Sequence, residues 1–267
     1  MTSNIRNLFD LTGKIAIVSG GAQGLGEAIA NALTHLGATT VICDINIEAA
    51  TATAARIADE TEKGRIRALE CDIRDDRQVQ SCVKNVVDEY GRIDVLVNNA
   101  GIHRRVSPTD YSQEDIDAVI QVNLLGSFYM AAAVGKVMIK QRSGSIINIS
   151  ALGGGIVGLG RGGSIYGITK GGIVALTRDL AAEWGKYSVR VNALAPGWIR
   201  TPMTEALQQN EQKSAKVLER IPLGRWGEAN DVAGAALFLA GDASQYITGH
   251  TIPIDGGAAN VIAISEE

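Results

Sequence analysis

A tyrosine and a lysine four residues apart could transfer a proton at a hydroxyl group. Tyr166 and Lys170 have this spacing, which puts both side chains on one face of a helix. Tyrosine is a poor base at its ordinary pKa of about 10, but a nearby ammonium group favours the phenolate and lowers that pKa. The pair could take the proton of an alcohol while a hydride leaves its carbon, and return it in the reverse direction. A bare pair at this spacing is also typical of an exposed helix, so other motifs decide between the two interpretations.

A glycine-rich turn near the start of the chain predicts a dinucleotide site. The segment 19–26 reads SGGAQGLG and lies between an apolar run and a helical pattern. Glycines at such a turn permit close contact with a pyrophosphate, which then lies at the positive N-terminus of the following helix. We expect the cofactor to contact Gly20, Gln23, Gly24, Leu25 and Gly26.

An acid at the end of the second apolar run favours NAD over NADP. Asp44 lies 18 residues after Gly26, where a carboxylate can accept hydrogen bonds from the adenosine ribose and repel a 2′-phosphate. No lysine or arginine lies between Gly20 and Gly24, and none directly follows Asp44. The sequence therefore predicts NAD as the cofactor. The alternative is that Asp44 only caps the next helix.

Several motifs in order resemble those of the short-chain dehydrogenase/reductase family, and the resemblance covers nearly the whole chain. They are the GxxxGxG turn at 20–26, NNAG at 98–101, Asn123, YxxxK at 166–170, Pro196-Gly197 and DGG at 255–257. The resemblance implies a Rossmann-type enzyme that moves a hydride between nicotinamide and a hydroxyl/carbonyl pair. Two stretches, NAGIHRR at 99–105 and EQKS through RIPLGRWG at 211–227, are similar to sugar-acid members such as gluconate 5-dehydrogenases and 2-dehydro-3-deoxy-gluconate dehydrogenases.

The resemblance also implies roles for single residues. Adenosine contacts are implied for Asp44, Ile45, Asp72 and Ile73, and cofactor contacts for Asn99, Ala100, Gly101, Pro196, Gly197, Ile199 and Thr201. Lys170 would hold the nicotinamide ribose beside Tyr166. Asn123 would anchor a water that relays protons to Lys170.

The sequence departs from the family pattern after the fifth apolar run. The family usually has a serine there that polarises the substrate carbonyl, and that position falls on Ala151, with Ser150 just before it. The interval from Ala151 to Tyr166 is two residues longer than usual. Three interpretations remain: Ser150 takes the role, a water or backbone N–H replaces it, or activity is weak. We favour Ser150 as both a catalytic and a substrate residue.

Basic loop residues predict an anionic or polyhydroxylated small-molecule substrate. His103, Arg104, Arg105, Arg161 and Arg200 fall at the carboxyl ends of predicted strands, where ligands of open α/β sheets bind. Arginine can clamp a carboxylate with two hydrogen bonds. The alternative is that these are solvated charges or partners of acids. For the apolar wall of the substrate site we expect Trp198, Met203 and Leu207.

Two other functions are compatible with the motifs. A 3-oxoacyl reductase has the same fold and catalytic set but would favour NADP. A dinucleotide-binding protein without catalysis would explain Ala151, but it would have no need to keep Tyr166, Lys170 and Asn123 together.

Short apolar runs alternate with helical patterns along the whole chain. Strands are predicted at 15–19, 40–43, 66–71, 95–98, 146–149, 189–193 and 251–254, and helices at 24–36, 47–61, 75–90, 113–140 and 164–187. Continuous apolar strands that alternate with helices indicate a doubly wound parallel α/β sheet. We expect one Rossmann-type domain over 1–267, with a substrate loop at about 196–222 that holds a short mobile helix.

Composition limits the classes of partner. The 267 residues carry a net charge of −4, which gives no electrostatic footprint for nucleic acid or an anionic membrane. No signal-peptide core and no apolar run near the roughly 18 residues of a membrane span were recognised, so a cytoplasmic protein is expected. Cys43 and Cys71 are expected to be small buried residues, and no metal site is predicted. The family resemblance implies a homotetramer.

Overall fold

Seven parallel strands form one sheet in the computed structural model, which describes residues 5–62, 64–160 and 163–261. The strands are β1 (Ile15–Ser19), β2 (Thr39–Asp44), β3 (Arg65–Glu70), β4 (Val95–Asn98), β5 (Gly144–Ile149), β6 (Val189–Pro196) and β7 (Thr251–Ile254). Their order across the sheet is β3-β2-β1-β4-β5-β6-β7. The strand order reverses between β1 and β4, and ligands of such sheets bind in the crevice at this point.

Helices connect the strands. They are α1 (Gly24–His35), α2 (Ile47–Asp59), α3 (Asp76–Tyr90), α4 (Gln113–Ile120), α5 (Ser127–Gln141), α6 (Leu152–Gly155), α7 (Ser164–Trp184), α8 (Glu205–Gln208), α9 (Glu211–Leu218) and α10 (Ala229–Ala240). A π-helical turn, Gln121–Gly126, joins α4 to α5, and short 3-10 turns lie at Ile5–Phe9, Gly185–Tyr187, Pro202–Thr204 and Asp242–Ser244.

Helices cover both faces of the sheet, which explains why its strands are apolar without alternation. Ala16 and Val18 of β1 pack into a core with α1, α2 and α10. Ile15 and Ile17, on the opposite side of the same strand, pack with α3, α5 and α7. The two faces of the sheet therefore each have a core covered by helices, and the prediction of a doubly wound sheet is confirmed.

The three cysteines are buried free thiols, as predicted for Cys43 and Cys71. The sulfurs of Cys43 and Cys82 are 3.0 Å apart. A hydrogen bond with Cys82 and burial raise the pKa of the Cys71 thiol, which keeps it protonated and unreactive. Within the described part of the chain, no group of three histidine, cysteine or acidic side chains could hold a metal ion.

One segment is more apolar than the sequence analysis recognised. By length and composition, the continuous helical stretch Gln113–Gln141 could cross a membrane, but half of its most apolar window is buried inside the fold. Met130 and Val134 of α5 lie in the core against the sheet. The apolar character of this stretch is therefore that of a core helix.

The connection that follows β6 holds two short helices, where the sequence predicted one. The region predicted as a substrate loop at about 196–222 contains α8 and α9. Leu207 was predicted to line the substrate site, but it packs with Val217, Ile221 and Trp226 in a small core of their own. It is a structural residue of this segment.

Candidate active site

Glycines shape the turn between β1 and α1. Gly20 and Gly24 have φ angles of +63° and +62°, a region that favours glycine. A Cβ atom on Gly20 would lie 2.7 Å from the Cα of Ala100, and one on Gly26 would overlap the Gly20 carbonyl oxygen. The turn therefore packs directly against the segment that follows β4. There is no room for a side chain at Gly20 or Gly26.

Asn99 fixes this turn to the end of β4. Its Nδ2 donates to the carbonyl oxygens of Ser19 and Gly20, at 3.1 and 2.7 Å. Its backbone N–H donates to the Ser19 hydroxyl at 3.1 Å. The NNAG motif thus holds the phosphate turn in shape, in addition to the predicted contact with the cofactor.

Asp44 ends β2 next to the turn. Its two carboxylate oxygens accept from the backbone N–H groups of Ala22 and Asn46, at 3.1 and 3.0 Å. A carboxylate has about four acceptor positions, so acceptor capacity is left for ribose hydroxyls. The carboxylate is therefore held in place where an adenosine ribose would meet it.

Arg74 is a cation of the cleft that the sequence analysis missed. It forms a two-pronged ion pair with Asp72, with Nε 2.9 Å from Oδ1 and Nη2 2.6 Å from Oδ2. The side-chain hydrogen bond from Arg74 lowers the pKa of Asp72. The predicted preference for NAD considered cations only in the glycine turn and directly after Asp44. Arg74 follows β3, and the pairing of β3 with β2 brings it to the cleft that Asp44 also lines.

These elements surround a cleft of about 890 Å³ at the carboxyl edge of the sheet. Nearly every residue predicted to bind the cofactor lines it: Gly20, Gln23, Gly24, Leu25, Asp44, Ile45, Asp72, Ile73, Asn99, Ala100, Gly101, Tyr166, Lys170, Pro196, Gly197, Ile199 and Thr201. Gly26 is the exception, because it lies behind the turn against Gly20 and Asn99. It allows α1 to pack closely against the turn.

Tyr166 and Lys170 lie on successive turns near the start of α7 and both line the cleft. Lys170 Nζ is 5.6 Å from the centre of the Tyr166 ring and donates to the Ile149 carbonyl oxygen at 2.7 Å. Burial raises the pKa of Tyr166 to about 12 and lowers that of Lys170 to about 8. Burial thus outweighs the effect of the lysine on the tyrosine, contrary to the expected lowering. A phenolate here needs further positive charge, which oxidised nicotinamide carries.

Asn123 is fully buried in the π-helical turn and does not line the cleft. Its Oδ1 accepts from the Ile102 N–H at 2.8 Å, and its Nδ2 donates to the Ile102 carbonyl oxygen at 2.9 Å. Nδ2 is also 3.3 Å from the Thr169 hydroxyl of α7. The side chain clamps the segment after β4 to the catalytic helix, a function that the predicted water relay did not include.

The geometry does not support Ser150 as the missing catalytic serine. Its side chain is 1% exposed, and its hydroxyl donates to the Lys170 carbonyl oxygen at 2.9 Å. Gly155 makes this orientation possible, because a Cβ atom there would overlap the Ser150 hydroxyl. Ser150 lines the cleft, but its hydroxyl donates to α7. The side chain of Ala151 is a methyl group, which cannot donate a hydrogen bond.

Of the residues predicted for the substrate site, His103, Arg104, Arg105, Trp198 and Met203 line the cleft. Arg104 Nε is 3.4 Å from an oxygen of Asp115. Arg200 pairs with Glu228 at 3.2 Å and does not line the cleft. Arg161 lies outside the described residues.

Further lining residues were not predicted, among them Ile102, Leu159, Ser164 and Thr204. They lie in loops or at helix starts, where apolar periodicity gives no signal about which side chain faces a ligand. Ser164 begins the predicted helix that carries Tyr166, and this position was a signal that its side chain could line the cleft.

The parallel sheet, the glycine turn at its switch point and the Tyr166–Lys170 pair in one cleft together define a dinucleotide-binding oxidoreductase. A family model described as enoyl-(acyl carrier protein) reductase matches residues 20–259. The chain belongs to the short-chain dehydrogenase/reductase family, whose members use a nicotinamide dinucleotide and act on CH–OH groups.

Individual relatives cover almost the whole chain. A 3-oxoacyl-(acyl-carrier-protein) reductase of Thermotoga maritima is 43% identical over 249 residues, which are 92% of this chain and 98% of the relative. A 2-dehydro-3-deoxy-D-gluconate 5-dehydrogenase of Escherichia coli is 40% identical over 259 residues, covering 95% and 98%. The solved structure of a gluconate 5-dehydrogenase of Burkholderia cenocepacia in complex with NADP and tartrate has a TM-score of 0.92 at 35% identity, covering 97% and 100%.

Proposed function

We propose that the protein is an NAD-dependent dehydrogenase that interconverts a secondary alcohol and a ketone on a sugar acid or polyol. The observation that carries this proposal is the cleft itself, in which the glycine turn, Asp44 and the Tyr166–Lys170 pair meet. Relatives named for gluconate or deoxy-gluconate dehydrogenation support the substrate class.

Each residue has a defined task in this proposal. Nicotinamide, when bound, accepts or donates the hydride. Tyr166 takes the proton of the alcohol during oxidation and returns it to the ketone oxygen during reduction. Lys170, held by the Ile149 carbonyl, stabilises the phenolate by its charge. Asn123 keeps the segment at Ile102 in register with α7.

The choice of NAD rests on Asp44. Its carboxylate is fixed by two backbone N–H groups, so it would meet a 2′-phosphate with unfavourable charge. Arg74 works in the other direction, but its guanidinium is already paired with Asp72. Some similar structures contain NADP. The proposed preference of this chain for NAD therefore rests on Asp44 and not on those structures.

An anionic substrate would be held by the basic side chains at the rim of the cleft. Arg104 and Arg105 line it and are largely exposed to solvent, and guanidinium groups bind carboxylates with two hydrogen bonds. Arg104 is shared with Asp115, which leaves Arg105 as our first choice for the carboxylate contact. Arg161 stays part of the prediction from sequence, as do Trp198 and Met203 for the wall of the site.

The test is initial-rate assay of the purified protein with NAD and with NADP, against sugar acids, polyols and simple secondary alcohols. We expect the highest kcat/KM with NAD and a sugar acid. Preference for a neutral polyol would discard the arginine contact, and preference for NADP would overturn the role of Asp44.

A 3-oxoacyl reductase is the second candidate, favoured by the 43% identical Thermotoga relative. It predicts faster reduction of an acetoacetyl thioester than of any keto-sugar acid, with NADPH as the donor. The same assay, run with thioester and keto-acid in parallel, distinguishes the two. We also propose a cytoplasmic homotetramer, in keeping with the family resemblance.

A further inference from the structure

The site as described lacks one hydrogen-bond donor. Reduction of a ketone builds negative charge on its oxygen, and a second donor beside the tyrosine stabilises that charge. The Ser150 hydroxyl is directed at the Lys170 carbonyl oxygen, and Ala151 carries a methyl group. Besides the water or backbone N–H considered above, a side chain of the cleft can supply this hydrogen bond.

His103 is placed to supply it. Its imidazole packs against the Tyr166 ring, with the ring centres 4.6 Å apart and the planes inclined by 40°. Both residues line the same cleft. An imidazole has a ring N–H donor in either neutral tautomer and two when protonated, so it can donate in every protonation state.

The surroundings hold this ring in position. Asn123 binds both the N–H and the carbonyl of Ile102, so the backbone immediately before His103 is fixed. On the other side, a Cβ atom on Gly163 would lie 3.3 Å from His103 Nε2. A side chain at position 163 would compete for the space that the imidazole occupies at the start of α7.

We propose that His103 is a catalytic residue that donates a ring N–H hydrogen bond to the substrate oxygen, in place of the family's serine. During reduction, the hydride comes from the nicotinamide and the proton from Tyr166, while His103 keeps its own proton. The inference rests on the proposed alcohol/ketone chemistry and deepens it. It also explains how a chain with Ala151 can keep the rest of the catalytic set.

The test compares His103→Phe with His103→Gln. Phenylalanine retains an aromatic ring against Tyr166 but has no donor, whereas glutamine retains an N–H donor without the ring. His250→Phe is the matched control, because it makes the same substitution at an exposed histidine that does not line the cleft. For each variant, kcat and KM are measured with the best substrate of the wild type, and the Kd of NADH is measured by fluorescence titration.

We expect His103→Phe to lower kcat about 10²- to 10³-fold, the loss typical of removing one such donor, with an unchanged Kd for NADH. His103→Gln should retain most of kcat, and His250→Phe should match the wild type. A normal kcat for His103→Phe, or an effect on KM alone, would overturn the inference while the proposed function stands. A wild-type protein that turns over no alcohol or ketone would overturn both.

Discussion

At the scale of single residues, the account depends on two charged groups held at unusual positions. Lys170 is 4% exposed, and burial lowers its pKa to about 8. Asp44 is held by backbone N–H groups beside the phosphate turn. Each makes a prediction that can be measured separately.

The charge of Lys170 should be visible in the pH dependence of NADH use. Its pKa is lowered from 10.5 to about 8, so the ammonium predominates below pH 8 and is lost as the pH rises through that value. Since kcat/KM for NADH reports ionisations of the free enzyme, we expect it to fall above pH 8. Lys170→Gln should give a low profile without this step. A wild-type profile that stays flat to pH 10 would contradict the assignment.

The carboxylate of Asp44 should control the choice of cofactor. Asp44→Asn keeps one oxygen acceptor for the neighbouring backbone but removes the charge that would repel a 2′-phosphate. We expect kcat/KM to fall about tenfold with NAD and to rise with NADP, a change of roughly 1.4 kcal/mol for each tenfold step. Glu48→Gln is the control, because this nearby exposed acid lies outside the cleft lining. Equal losses with both cofactors would show that Asp44 is only structural.

The orientation of single side chains in the site could not be predicted from the sequence. The position of Ser150 in the chain was compatible with catalysis. Its hydroxyl, however, occupies the space beside Gly155 and donates to the Lys170 carbonyl oxygen. Arg74 was missed because its position at the cleft edge results from the pairing of β3 with β2. Both are tertiary effects that local spacing does not encode.

At the scale of elements, α1 packs closely against the glycine turn at Gly26, and a larger side chain there should disturb this contact. A Cβ atom on Gly26 would overlap the Gly20 carbonyl oxygen and crowd Asn99. Overpacking of this kind typically costs about 1–3 kcal/mol. Gly26→Ala should therefore lower the melting temperature and weaken NADH binding, because the turn must shift.

Gly234→Ala is a matched control for that variant. Gly234 lies within α10, and no atom is within 4 Å of the position of its missing Cβ. Alanine is favoured over glycine in a helix by roughly 0.5–1 kcal/mol, so this variant should melt at the same or a slightly higher temperature. An equal loss of stability in both variants would contradict the packing argument.

All seven strands were predicted from the sequence, because the apolar runs that indicate them are local. The strands β1, β4 and β7 have the predicted bounds, and the other four differ by one to three residues at their ends. The π-helical turn lies at Asn123, where the family resemblance implies a kink in the predicted helix at 113–140. Periodicity alone does not show it, since a π-helical turn keeps helical spacing almost unchanged. Its cause is tertiary: it lies where Asn123 must reach Ile102 and Thr169. Helix α10 follows the predicted substrate loop and was not among the helices named from the sequence.

At the scale of the whole molecule, the proposed tetramer predicts which apolar side chains become buried. Phe128 on α5 and Ile168 on α7 are 44% and 61% exposed in the single chain. Exposed apolar residues on neighbouring helices are typical of a subunit interface. Phe128→Arg should reduce the mass measured by light scattering, whereas Leu223→Arg, in the connection after β6, should leave it unchanged. A monomeric wild type at micromolar concentration would contradict the tetramer.

Turnover of Tyr166→Phe tests the central claim most directly, namely that this cleft is an active site for hydride and proton transfer. Phenylalanine preserves the ring against His103 but removes the hydroxyl that exchanges the proton. We predict that NADH binds the variant with the wild-type Kd while kcat falls by about 10²- to 10⁴-fold, the contribution typical of a general acid or base. Turnover at the wild-type rate would contradict the account, because the proton would then have to move through another group.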